Sequence, residues 1–165
     1  MATTWKDSDI SLDSIKEQII AIIGYGIQGD AQANNLKDSG LKVIVGLKEG
    51  GSSWNKAKND GHEVMPVADA CKKADIIHIL IPDMVQSKVY QNEIEPNLSE
   101  GNALAFSHAA AIYWGWIKAP DNVGGILSPS SLSEISDRRL STTSSVVTPL
   151  DSALNVVIIL WRKTG

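Results

Sequence analysis

Nothing in this chain limits its fold as tightly as Ile19-Ile20-Ala21-Ile22-Ile23 running without a break into Gly24-Tyr25-Gly26-Ile27-Gln28-Gly29. Five apolar residues in a row, ended by a glycine, read as a strand buried on both faces. Such a strand belongs inside a parallel sheet that carries a layer on each side. The glycine spacing has a chemical reading as well. Gly24 permits a tight turn, Gly26 lets a pyrophosphate come up to the backbone, and Gly29 lets the next helix pack close to the strand. The N-terminus of that helix offers unpaired N–H groups and a positive dipole end to an anion. A glycine triplet alone is weak evidence. After a strand and at the opening of a helix, it marks Gly24, Tyr25, Gly26, Ile27, Gln28 and Gly29 as a candidate dinucleotide-binding loop. The competing reading is a glycine turn without a ligand.

The rest of the chain alternates in the same way. Residues 28–39 read as a helix closed by Gly40, with Ala31, Ala33 and Leu36 available for packing. Further strands are expected at 41–47, 62–65, 75–81, 103–107 and 123–127, and helices at 53–60, 67–74 and 83 to about 91. Pro82 stops the fourth strand, because it cannot donate to a ladder, and Asp83 is placed to cap the helix that follows. Strands separated by helices imply right-handed crossovers, hence an α/β fold: a Rossmann-like doubly wound parallel sheet with helices on both faces. With 165 residues and no repeat or linker, a single domain is expected. The Ser- and Thr-rich stretch 128–145 is harder to read, with a polar surface helix expected at 132–140. The closing segment 151–163 has Asp151 as an N-cap and Arg162 and Lys163 near its end, which suits a helix dipole. Its middle is apolar almost all round. We expect a helix at a subunit contact there, the alternative being that part of it is a buried strand.

Composition excludes several functions. Fifteen Lys and Arg stand against nineteen Asp and Glu, a net charge of −4 that argues against broad capture of nucleic acid. No apolar run approaches the roughly 20 residues of a membrane-spanning helix, and the first residues carry no signal pattern. The one cysteine, Cys71, rules out an internal disulfide and a thiolate-rich zinc site. A cytoplasmic location is the expectation.

The end of the second strand bears on which dinucleotide would bind. It runs Val45-Gly46-Leu47-Lys48-Glu49-Gly50-Gly51-Ser52-Ser53. Lys48 is positive and Ser52 and Ser53 carry hydroxyls, which suits a 2′-phosphate, whereas an NAD site places an acid there. Glu49 is the counter-argument. NADP(H) is favoured and NAD(H) stays open.

Together these residues resemble the N-terminal domain of ketol-acid reductoisomerase. The resemblance is carried by the glycine loop, then by Ala31-Gln32-Ala33, Asn35-Leu36 and Asp38-Ser39-Gly40, and by Val45 to Gly50 with Ser53-Trp54. It continues in Leu80-Ile81-Pro82-Asp83 with Val85-Gln86, Glu95-Pro96-Asn97-Leu98 and Ala105-Phe106-Ser107-His108, covers residues 12 to 127 and is loose beyond. It implies an NADPH-dependent, magnesium-using enzyme of branched-chain amino acid synthesis, with Pro82 and Asp83 beside the cofactor and His108 as an active-site histidine near the nicotinamide. The resemblance places the family's metal carboxylates in a later helical domain, which is expected to be absent here. Several positions also depart from the family pattern. Asp30 stands where the family has His or Arg, Gly51 where it has a second serine, and Ser130 where it has an active-site lysine. A domain that binds NADP(H) without complete catalysis is the leading expectation. The alternatives are a reductase half completed by a partner chain and a nucleotide-free interaction module.

Other candidates are weaker. His62 sits in a polar turn and is expected to be solvated, and His78 sits mid-strand as a satisfied core residue. Trp114 and Trp116 are conspicuous in a chain with one phenylalanine, and large aromatic anchors often mark protein contacts. They share with segment 151–163 the expectation of a homo-oligomer; core packing is the competing reading.

Overall fold

The computed structural model describes residues 12–13, 15–108, 110–127, 146–149 and 157–161. Ile19–Ile23 forms β1 and pairs in parallel with β2 (Lys42–Leu47) on one side and with β4 (Ile76–Ile79) on the other. With a neighbour on each edge and a layer on each face, β1 buries Ile20 through Ile23, as its unbroken apolar run requires. Alternate residues serve opposite faces. Ile20 and Ile22 pack with Ala33 and Leu36 of α1 (Ile27–Asp38) and Ala57 of α2 (Trp54–Asn59). Ala21 and Ile23 pack with Val67, Ala70 and Cys71 of α3 (Val67–Lys73) and with Tyr90 and Ile94. Each fully buried isoleucine contributes about 1.5–3 kcal/mol relative to exposure, so β1 anchors both layers.

β3 (Glu63–Pro66), β5 (Ala103–Phe106) and β6 (Gly124–Leu127) complete a parallel run ordered β3-β2-β1-β4-β5-β6. The chain leaves β1 toward one edge and returns through β4 toward the other, so the order reverses between β1 and β4. In open α/β sheets that crevice, at the carboxyl ends of the strands, receives ligands. α4 (Asp83–Val89) passes directly into a π-helical turn at Tyr90–Ile94 and a 3-10 turn at Glu95–Asn97. A short α5 (Ala110–Tyr113), which the sequence pattern did not indicate, follows β5.

Two readings of individual residues change here. Beyond the expected parallel run, β7 (Val146–Pro149) and β8 (Val157–Trp161) add two antiparallel strands at the β6 edge. Residues 157–161 of the closing segment are thus a strand, the alternative reading of that segment, and not the expected helix. An apolar run with no polar face has no periodicity to separate helix from strand, and the open edge of β6 decides in favour of pairing. Asp83 is the first residue of α4 and Pro82 its N-cap, so Asp83 does not cap the helix. The helix expected at 132–140, and Ser130, lie outside the described residues.

Candidate functional site

A cleft of about 520 Å³ opens at the carboxyl ends of β1, β2, β4 and β5. The glycine loop forms its floor. Gly24 holds φ at +101°, a conformation L side chains rarely adopt, and a Cβ there would meet the Leu80 carbonyl oxygen at 2.8 Å. Gly29 is shut in by the Gly24 carbonyl, so a Cβ would collide with backbone and push α1 off β1. Gly26 differs from both: a Cβ there would have no protein atom within 4 Å. The middle glycine therefore faces open space inside the cleft. The first helical hydrogen bond runs from the Asp30 N–H to the Gly26 carbonyl at 2.9 Å. That leaves the N–H groups of Ile27, Gln28 and Gly29 without an i−4 partner in the helix, as any helix N-terminus must.

The loop after β2 supplies one wall. Lys48, Gly51, Ser52, Ser53 and Trp54 all line the cleft. Its turn is closed by the Gly51 N–H donating to the Lys48 carbonyl at 3.0 Å, and a Cβ at Gly51 would lie 3.0 Å from that same oxygen. Glycine at this position relieves a crowded turn. Ser53 is the N-cap of α2, yet its hydroxyl makes no capping bond and stays available to a ligand.

Pro82, Asp83, Gln86, Ser107 and His108 line the opposite end. The His108 Nδ1 lies 3.4 Å from the Asp83 carboxylate, and both side chains are solvent-accessible. Gln86 is almost fully buried; its amide donates to the Ile81 carbonyl and to the Asp83 carboxylate, each at 2.9 Å. Its Oε1 is buried and meets no hydrogen-bond donor among the described residues. A buried acceptor left unsatisfied costs about 1–3 kcal/mol, so Gln86, a residue of this wall, carries an acceptor that a donor would relieve. The sequence reading did not assign Gln86 to the site. Its signals are its place among the residues that carry the resemblance and the Asp83-x-x-Gln86 spacing, which puts the two side chains on neighbouring turns of α4. Trp54 and Ser107 were also unassigned.

Beneath the cleft, buried His78 faces the Ser107 hydroxyl at 3.0 Å, and the Gln32 amide donates to the same oxygen at 3.2 Å. Burial pushes the His78 imidazole down to about 4, so it is neutral near pH 7. The expectation of a satisfied core histidine holds. That for His62 does not: it is buried, its Nε2 sits 3.0 Å from the Asn34 Oδ1, and its ring meets Tyr25 edge-on. Burial lowers its basicity. Tyr25 lines the cleft with a ring that is otherwise buried, and its hydroxyl donates to Asp60 at 2.9 Å. Ile27 stands almost wholly exposed at the cleft. Trp114 and Trp116 are 65% and 46% exposed, against the core-packing alternative. Cys71 is buried, its thiol pushed up to about 12 by desolvation, and is inert packing.

An open glycine at a helix N-terminus, set at the order reversal of a parallel sheet, defines a Rossmann-type dinucleotide-binding domain. Residues 14–137 match the family model described as acetohydroxy acid isomeroreductase, NADPH-binding domain. The chain belongs to this family, that of the ketol-acid reductoisomerases. It is 76% identical over 127 residues to the ketol-acid reductoisomerase (NADP(+)) of Nitrosopumilus maritimus, covering 77% of this chain and 38% of that protein. It is 56% identical over 123 residues to the enzyme of the same name from Methanocaldococcus jannaschii, covering 74% of this chain and 37% of that protein. Among solved structures, an NADH-preferring ketol-acid reductoisomerase from an uncultured archean superposes with a TM-score of 0.71 at 48% identity, over 73% of this chain and 38% of that one. The chain thus spans well under half the length of these relatives.

Proposed function

We propose that this chain binds NADP(H) in the cleft and, by itself, does not turn over an acetohydroxy acid. The observation that carries the reading is Gly26, open to the cleft at the N-terminus of α1 where a pyrophosphate would be received. Lys48, Ser52 and Ser53 would hold the 2′-phosphate, with the lysine supplying charge and the hydroxyls supplying donors. At the other end, the Gln86 Oε1 would accept from a carboxamide N–H, which answers the buried acceptor found there. Pro82 and Asp83 shape the adjoining wall, and Asp83 orients His108. When bound, NADPH supplies a hydride; the residues described hold and orient it.

Magnesium does not fit these residues. Among the described residues no group of three or more His, Cys, Asp or Glu side chains could hold a metal ion. The relatives extend well beyond the matched 38%, which supports assigning the magnesium-dependent chemistry to a region outside this one. Among the described residues no helix is long and apolar enough to cross a membrane. Exposed Trp114 and Trp116 support self-association, and sedimentation velocity on the W114A/W116A variant, run beside the wild type, tests it. A monomer at high concentration for the wild type refutes it.

The primary test is calorimetric titration with NADPH, NADP, NADH and NAD in parallel. Micromolar binding of the phosphorylated forms is expected. No heat with any of the four in a folded sample would reduce the glycine loop to an inherited turn. Reduction of an acetohydroxy acid by the chain alone, with NADPH and magnesium, would overturn the claim of incompleteness. Activity regained only on adding the remaining region of a relative would favour a half-enzyme completed by a partner.

A further inference from the structure

Asp30 lies in the first turn of α1, where a carboxylate opposes any anion drawn to the helix N-terminus. The structure turns it outward. Its carboxylate pairs with the Lys56 ammonium and accepts from the Asn34 amide at 2.7 Å. Asn34 in turn reaches the Tyr25 hydroxyl and His62. The pairing holds the Asp30 carboxyl below the usual carboxylate range and raises Lys56.

Lys56 follows Ser53 by three residues, one turn into α2. It therefore springs from beside the two hydroxyls that would hold a 2′-phosphate. Its ammonium nevertheless lies next to α1, 5.5 Å from the centre of the Tyr25 ring, and Lys56 is not among the residues that line the cleft, although Lys48 is. A second cation is within reach of the 2′-phosphate end and is drawn elsewhere by a carboxylate.

We propose that Asp30 is a positioning residue for cofactor preference: it holds Lys56 against α1, away from the 2′-phosphate end, and so narrows the margin by which the phosphorylated dinucleotide is preferred. The proposal rests on the cofactor-binding reading above and deepens it. The lysine stem is flexible and carries a compact charge, and a phosphate monoester presents up to two negative charges against one on Asp30. The pair is half-exposed, its side chains being 54% and 30% accessible for Lys56 and Asp30, so the tether is weak enough to contest.

The test is titration of wild type, D30N, D30E and D30N/K56M with NADPH and NADH, each variant checked by its melting temperature. Asn at position 30 can still accept from Asn34, so the local network is kept. D30N is expected to raise the NADPH-to-NADH affinity ratio about threefold to fivefold, the size of a solvent-exposed ion pair. D30E is expected to keep the wild-type ratio, and D30N/K56M to lose the gain. The double variant is decisive, because removing the Asp30 charge alone favours the more anionic ligand at long range. A ratio unchanged in D30N, or a gain that survives in D30N/K56M, overturns the proposal while the wild type still binds. Wild-type protein that binds neither dinucleotide overturns the cofactor reading itself, and this proposal with it.

Discussion

Gly26 and Gly29 sit three residues apart in one loop, and alanine at each should produce opposite failures. At Gly29 the added Cβ would lie 2.9 Å from the Gly24 carbonyl carbon and closer still to its oxygen. Neither partner is a flexible side-chain end; both are backbone. The helix must retreat by about 0.5–1 Å, and a gap of that size forfeits roughly a quarter to a half of each dispersion contact across the interface. The affected contacts join Ala33 and Leu36 to Ile20 and Ile22. Overpacking of this kind costs about 1–3 kcal/mol, and the backbone nature of the clash puts G29A at the top of that range. For a domain of this size about 3 kcal/mol lowers Tm by roughly 6–12 °C. At Gly26 the backbone has φ −83°, allowed for alanine, and the Cβ meets no protein atom within 4 Å. G26A should therefore melt within about 2 °C of wild type. It should bind NADPH at least about tenfold more weakly, since the methyl occupies the approach of the pyrophosphate. Differential scanning calorimetry and isothermal titration on the two variants read both quantities. G26A binding as tightly as wild type would refute the assignment of the cleft floor to phosphate. G29A with an unchanged Tm would refute the packing argument.

Lys48→Ala should weaken NADPH by about threefold to fivefold, the scale of an exposed ion pair, and leave NADH unchanged; equal losses for both would remove the 2′-phosphate role. Gln86→Leu removes the unsatisfied Oε1 acceptor and should weaken NADPH binding by about threefold to tenfold, the size of one hydrogen bond. A titration in which the variant binds NADPH as tightly as wild type would contradict it. The folded-state pKa of His78 is depressed by burial from the ordinary 6.5 to about 4. The unfolded chain therefore binds the proton first, and stability present above pH 6.5 is lost as pH falls toward 4. Between pH 6.5 and 5 the loss should be on the order of 2 kcal/mol, with a smaller contribution of the same sign from His62, also lowered by burial. Urea titrations of wild type and H78N across that range test it; an equal slope in the variant would exclude His78 as the source.

The chain segments whose structure could be read directly are those whose information is local. The unbroken run of β1 needs two covered faces wherever it sits, and glycine spacing is a property of six consecutive residues. Both survive in β1, the cleft floor and the strand–helix alternation. Lys48, Ser52, Ser53, Pro82, Asp83 and His108 were also placed in one cleft, because strand ends in such a sheet converge on its order reversal. What could not be read depends on partners far away along the chain. His62 looks solvated among its neighbours Gly61 and Glu63, yet α1 brings Asn34 and the glycine loop brings Tyr25 over it from 28 and 37 residues away. Asp30 looks hostile to phosphate until α2 delivers Lys56 from 26 residues on. Gln86 looks like any helix glutamine until burial leaves its oxygen without a donor among the described residues. Residues 157–161 carry an apolar pattern equally suited to helix or strand, and the hydrogen bonds of β6 settle it. Periodicity and turn chemistry act over a few residues and are written in order along the chain; burial and charge pairing are set by which surfaces meet, and those surfaces meet only in the folded molecule.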